Sequence, residues 1–187
     1  MAQGFTFWTI SYLQIVFYLD PVTAQTTYIT VLLAALIPGV YLGAYLADLN
    51  GGYKGKGLAP ALTICCIFAG FFAMFAIWDC YNFNYYFYVL LTWLTLLCGS
   101  AIMPIGQGII VSCVPKFAQN SASSLYAIFV NLLGYTMAPV LSGYAAAQYE
   151  NKRDGMISAY RVIFSAAPIL FILYLLARAV AIRQISM

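Results

Sequence analysis

The residues of this chain that could do chemistry fall into two groups. The first is Asp48, Lys54 and Lys56, set among Gly43, Gly51, Gly52, Gly55 and Gly57 and bracketed by long apolar runs. An acid closing one apolar run and two lysines opening the next, with glycines between, fit a tight loop at a membrane surface. At the end of a helix Asp48 would face the negative end of the helix dipole, so it is better placed against a cation or the amino-terminal end of another helix. The second group is neutral and lies inside the apolar runs: Gln14, Thr26, Thr30, Gln107 and Asn131, with Trp8, Tyr12 and Tyr135 as amphipathic rings. These can hydrogen-bond a ligand or a neighbouring helix. Gln107 sits between Gly106 and Gly108, where backbone can come close.

Other chemistries lack their residues. The chain has no histidine, which removes the commonest metal ligand and the usual proton shuttle near neutral pH. No Ser-His or Cys-His pairing can be assembled, and no span carries paired carboxylates, so an enzyme is not expected. The cysteines Cys65, Cys66, Cys80, Cys98 and Cys113 are odd in number and fit no zinc spacing; they read as small apolar fillers. No metal or other cofactor is expected. A net charge of +3 is too small and scattered to suggest nucleic acid.

The elements that must position these residues are membrane helices. The chain is 64% hydrophobic and 7% charged, with a mean hydropathy of +0.90. A soluble domain carries about 25% charged residues. Spanning helices need about 20 apolar residues, and six are predicted: about 4–19, 23–47, 58–78, 85–112, 121–147 and 157–182. Trp78, Tyr81, Tyr85, Tyr86 and Tyr88 form an interfacial aromatic belt at the turn between the third and fourth. Six spans put both termini on one side. That side holds Lys54, Lys56, Lys116, Arg178 and Arg183 against Asp48 alone. The other holds Asp20, Asp79, Glu150 and Asp154 with Lys152, Arg153 and Arg161. The excess of Lys and Arg marks the first side as cytoplasmic or matrix-equivalent. The chain enters its first span almost at Met1 without a signal-type leader, which suggests the back portion of something longer or a truncated descendant of it.

Inside the spans, Gly39 and Gly43 are four apart, as are Gly143 and Ala147, an interval that lets helices pack closely. Pro38, Pro104, Pro139 and Pro168 each remove a helical hydrogen bond and predict bends. No Asp, Glu, Lys or Arg lies near the centre of a predicted span, so no proton relay is offered.

The loop motif resembles the signature of the major facilitator superfamily, roughly Gly-x-Leu-Ala-Asp-Arg-x-Gly-Arg-Lys. Gly43, Leu46, Ala47, Asp48, Gly51 or Gly52, Lys54 and Lys56 take those parts, and Leu49 stands where the arginine would be. Phe7-Trp8-Thr-Ile-Ser-Tyr12-Leu13 is similar to the seventh-helix opening of spinster-like and organic-anion-transporter-like members. Val114-Pro115-Lys116-Phe117, Ser123-Ser124-Leu, Asn131-Leu-Leu-Gly134 and Ala138-Pro139-x-Leu-Ser-Gly143 are similar to the approach to the eleventh helix and that helix itself.

The resemblance covers essentially the whole chain and implies the carboxyl-terminal half, helices seven to twelve: an all-α membrane protein of six transmembrane helices in two inverted three-helix repeats. It implies a cavity lined by the first, second, fourth and fifth spans, with Trp8, Tyr12, Gln14, Gln107, Asn131 and Tyr135 as candidate contacts. It makes Gly43, Asp48, Gly52, Lys54 and Lys56 a cytoplasmic gate loop. The implied partners are the lipid bilayer, an amino-terminal six-helix half or neighbouring membrane subunits, and a small organic solute. An uncharged, aromatic wall favours an amphipathic or lipid-like solute moved by alternating access. The rival expectation is a transport-inactive half serving as an accessory subunit of a larger membrane complex.

Overall fold

The computed structural model describes residues 2–49, 67–72, 74, 84–112, 114–165, 169 and 172. Its described elements are helical, in the order α1 (Ala2–Val16), α2 (Pro21–Leu49), α3 (Tyr85–Ser112), a 3₁₀ turn (Lys116–Ala118), α4 (Gln119–Asn131), a π-helical segment (Leu132–Met137) and α5 (Ala138–Ala147). Residues 67–72 are helical, as are residues 152–165, here α6. Three stretches are long and apolar enough to cross a membrane: Pro21–Leu49, Tyr85–Ser112 and Lys116–Ala147. At about 1.5 Å per residue, the 29 residues of α2 exceed a hydrocarbon core of about 30 Å.

The chain boundaries follow local chemistry. α1 stops three residues before the expected 19. Leu13 carbonyl accepts from the amides of both Phe17 (3.3 Å) and Leu19 (3.4 Å), and between them Tyr18 takes a left-handed conformation, φ 55°. A left-handed residue just past the last turn is a common way for a helix to stop, here with a tyrosine where glycine is usual. Its 15 residues fall short of the roughly 20 that a span needs. α2 then starts on a cap: the Asp20 carboxylate accepts from Thr23 amide at 3.0 Å, and Pro21, which has no amide hydrogen to lose, takes the first helical position. α3 occupies 85–112, as the apolar run predicts. α6 begins at 152 rather than 157, because Asn151 caps it: its Oδ1 accepts from Arg153 amide at 3.1 Å and its Nδ2 donates to Asp154 Oδ2 at 3.1 Å. Most of the expected third span, the expected last span beyond 165 apart from residues 169 and 172, and Gly52, Lys54 and Lys56 lie outside the described residues.

Two packing systems hold the helices. One is an aromatic core among α1, α3 and α6. Tyr12 is wholly buried, stacked on Tyr160 with ring centres 3.9 Å apart and on Tyr88 at 5.2 Å. Leu13, Val16, Ile163 and Phe164 complete it, and Tyr160 hydroxyl donates to Thr9 Oγ1 at 2.7 Å. Buried rings in such arrangements contribute beyond their area.

The other is the seam between α2 and α3. The buried residues Val31, Ala35, Gly39, Gly43 and Ala47 recur every four positions, one row along about 24 Å of helix. A Cβ at Gly39 would overlap Ser100 Oγ and lie 2.5 Å from Leu97 carbonyl oxygen; one at Gly43 would overlap the Ala101 backbone. Ser100 hydroxyl reaches Ala35 carbonyl at 3.3 Å, just before Pro38 interrupts the α2 ladder. The carbonyl that Pro38 deprives of its ladder amide is Ala34's, one residue earlier, so this hydrogen bond joins the two helices without replacing the lost one. Thr27 and Tyr85 hydroxyls meet at 2.7 Å toward the other end of the seam.

Candidate functional site

The six candidate contact residues differ in burial and in what they touch. Tyr12 is closed into the aromatic core, its ring covered by Tyr88 and Tyr160. Trp8, one turn earlier on α1, is half-buried. Its ring lies edge-on to Phe7, centres 5.1 Å apart, and its Cζ2 is 3.5 Å from where a Cβ on Gly143 of α5 would sit. The indole N–H of Trp8 is buried without a hydrogen-bond partner, and such donors ordinarily find one. Gln14 is half-buried on α1.

Gln107, Asn131 and Tyr135 are exposed, Tyr135 by 62%. Gln107 Nε2 donates to Ser123 Oγ at 2.8 Å, tying α3 to α4. Asn131 ends α4, and Tyr135 lies one turn on in the π segment. That segment and α5 both pack against α1, so the Trp8 face and the Tyr135 face belong to touching elements. None of the described side chains of α4 is buried; Leu125, Ile128 and Phe129 stand open beside Asn131.

Of the loop residues, Gly43 lies inside α2, buried against Ala101. It works there as a packing position, six residues before the helix ends. Asp48 is exposed in the last turn of α2, at the unfavourable end of that helix's dipole. Asp48 and Lys116 are the charged residues of the three long apolar stretches, and each sits at an end. At the other end of α2, hydrogen bonds from Thr23, hydroxyl first and amide next, hold the exposed Asp20 carboxyl below its ordinary range. Arg153 guanidinium lies 5.9 Å from the centre of the Tyr18 ring, in cation–π range. Among the described residues no three of His, Cys, Asp and Glu come together as a metal set.

Several partners are absent from the sequence reading. The Thr26 hydroxyl donates to Val22 carbonyl of its own helix at 2.8 Å; Thr27 makes the contact between helices. Ser123 as the partner of Gln107, and Tyr160 as the cover of Tyr12, depend on pairing between elements far apart in the chain. The Ser123-Ser124 doublet in an apolar run was the available signal. No protein-family model, curated protein or solved structure matches the chain.

Proposed function

We propose that the chain is the carboxyl-terminal half of a secondary active transporter of the major facilitator type, moving an amphipathic or lipid-like organic solute by alternating access. In this reading it crosses the membrane several times, with both termini on the side of Lys54, Lys56 and Lys116. The carrying observation is the exposed trio Gln107, Asn131 and Tyr135 on helices long and apolar enough to span a bilayer. Amide side chains at membrane depth face protein or a water-filled space rather than lipid tails. With charge confined to the ends of the three long apolar stretches, the solute is recognised by hydrogen bonds and ring faces.

A binding measurement tests this. The chain in lipid nanodiscs binds a fluorescent lysophospholipid saturably, and Gln107→Ala with Asn131→Ala weakens binding about tenfold, the cost of roughly two interhelical-scale hydrogen bonds. Binding of small organic anions that those substitutions abolish, with no lysolipid bound, overturns the solute class. Reporter fusions at Gly55 and after Met187 that fall on opposite sides overturn the topology.

The second reading is an accessory subunit without cargo. The open apolar face of α4, with Leu125, Ile128 and Phe129 exposed, favours it, since a neighbouring subunit would cover that face. Absence of saturable binding to any solute, together with co-purification in a stable larger assembly, selects this reading.

A further inference from the structure

The stretch Lys116–Ala147 is held by different neighbours at its two ends. α4 is tied to α3: Gln107 donates to Ser123, and Tyr126 hydroxyl lies 3.3 Å from where a Cβ on Gly106 would sit. The π segment and α5 pack instead on α1, with Gly143 under Trp8. The change from one neighbour to the other falls at the six residues Leu132–Met137, wound with π pitch and themselves in contact with α1. A π segment accommodates about one residue more than the α-helix that would replace it, and it normally holds its backbone less well.

Pro139 removes part of that handicap. It has no amide hydrogen. In an α ladder its missing donor leaves Tyr135 carbonyl open; in a π ladder it leaves Gly134 carbonyl open. At this step neither pitch has a bond the other lacks.

We propose that residues 132–137 are a two-position joint that interconverts between π and α pitch. With α5 held on α1, conversion to α pitch turns α4 by about 100°, one residue's share of a 3.6-residue turn. Each residue of α4 then moves into the place of the residue before it. Ser124, exposed now, arrives where Ser123 stands. The doublet therefore gives Gln107 a hydroxyl partner in both positions. Ala127 replaces Tyr126 beside Gly106, which removes bulk from the contact. Asn131 moves to the half-buried place of Val130, so the joint changes which side chain α4 presents. It stands on the fold alone, with or without a cargo.

Disulfide trapping in the full chain tests the joint, with the five native cysteines replaced by serine and the protein kept in membranes. Gln107→Cys is paired in turn with Ser123→Cys, Ser124→Cys and, as a control, Leu125→Cys. The Ser123 pair closes fastest. The Ser124 pair closes through the minor position at about a tenth to a hundredth of that rate, well above the Leu125 control. Deleting Thr136 removes the extra residue, restores α pitch with Ser123 in its present place, and brings the Ser124 pair down to the control while sparing the Ser123 pair. A Ser124 pair no faster than the control in the full-length chain overturns the proposal, and that comparison holds even if the deletion variant does not fold. A Ser124 rate unchanged by the deletion, in a variant whose Ser123 pair still closes, overturns it as well.

Discussion

The α2–α3 pair and the stretch Lys116–Ala147 are both long apolar helical systems, built on opposite plans. α2 and α3 share a seam of small residues, with Gly39 and Gly43 against Ser100 and Ala101 so closely that backbone meets backbone. α4 buries no described side chain and meets α3 through a glutamine–serine hydrogen bond. The first plan gains dispersion over a continuous buried surface; the second holds its helix by partly exposed contacts, Gln107 on Ser123 and Tyr126 beside Gly106, with no side chain fully enclosed. Their starts differ in the same sense. α2 begins on Asp20 and Pro21, whereas α4 follows a 3₁₀ turn without a side-chain cap.

The largest break in this contrast comes from one methyl group. Gly43→Ala puts a Cβ into the Ala101 backbone, which cannot move aside as a side-chain end can. Loss of about 1–3 kcal/mol is expected, the range for overpacked sites. Gly99→Ala, one residue from Ser100, meets nothing within 4 Å and gains about 0.5–1 kcal/mol from the reduced freedom of the unfolded chain. Thermal unfolding in detergent reads both. Equal effects of the two substitutions would mean that the seam is not where α2 and α3 meet.

The looser contact between α3 and α4 predicts a smaller effect. Gln107→Ala removes the hydrogen bond to Ser123, at a cost of about 0.5–1 kcal/mol. The loss falls on α4 alone, so hydrogen exchange rises in 119–131 and stays flat in 31–47. A uniform rise in both would place α4 in the same cooperative unit as the seam.

How far the sequence speaks follows the same division. The α3 range is legible because an unbroken apolar run lies between Asn84 and Pro115. The Gly39–Gly43 interval announces close packing. The continuation of that row through Val31, Ala35 and Ala47 is not announced, since those side chains suit any apolar position. Tyr12 reads as a wall residue because a tyrosine at a helix face suits a cavity and a core alike; only the arrival of Tyr88 and Tyr160 decides. Pro139 signals a disturbed ladder, while the π pitch of residues 132–137 leaves no local spacing in the sequence. Gln107 stands out by its glycine neighbours, and its partner Ser123 does not, because pairing across helices leaves no local spacing.

The smallest expected effect separates the two helix starts by pH. The Asp20 carboxylate accepts from Thr23, and its folded pKa lies below the ordinary carboxylate value. A lowered folded pKa means that the ionised cap stabilises the folded chain at pH above the unfolded value. The contribution fades as acid passes that value and is gone below the folded one. Asp20→Asn keeps an acceptor at the cap but does not titrate, so its unfolding midpoint should lose the part of the acid dependence that belongs to Asp20. The difference between the two proteins is small, because the group is exposed, and it is confined to acid pH. α4 has no side-chain cap, so hydrogen exchange in its first turn should be the same in both proteins across that window. A difference there instead of at the start of α2 would show that Asp20 acts through the whole bundle rather than on the helix it opens.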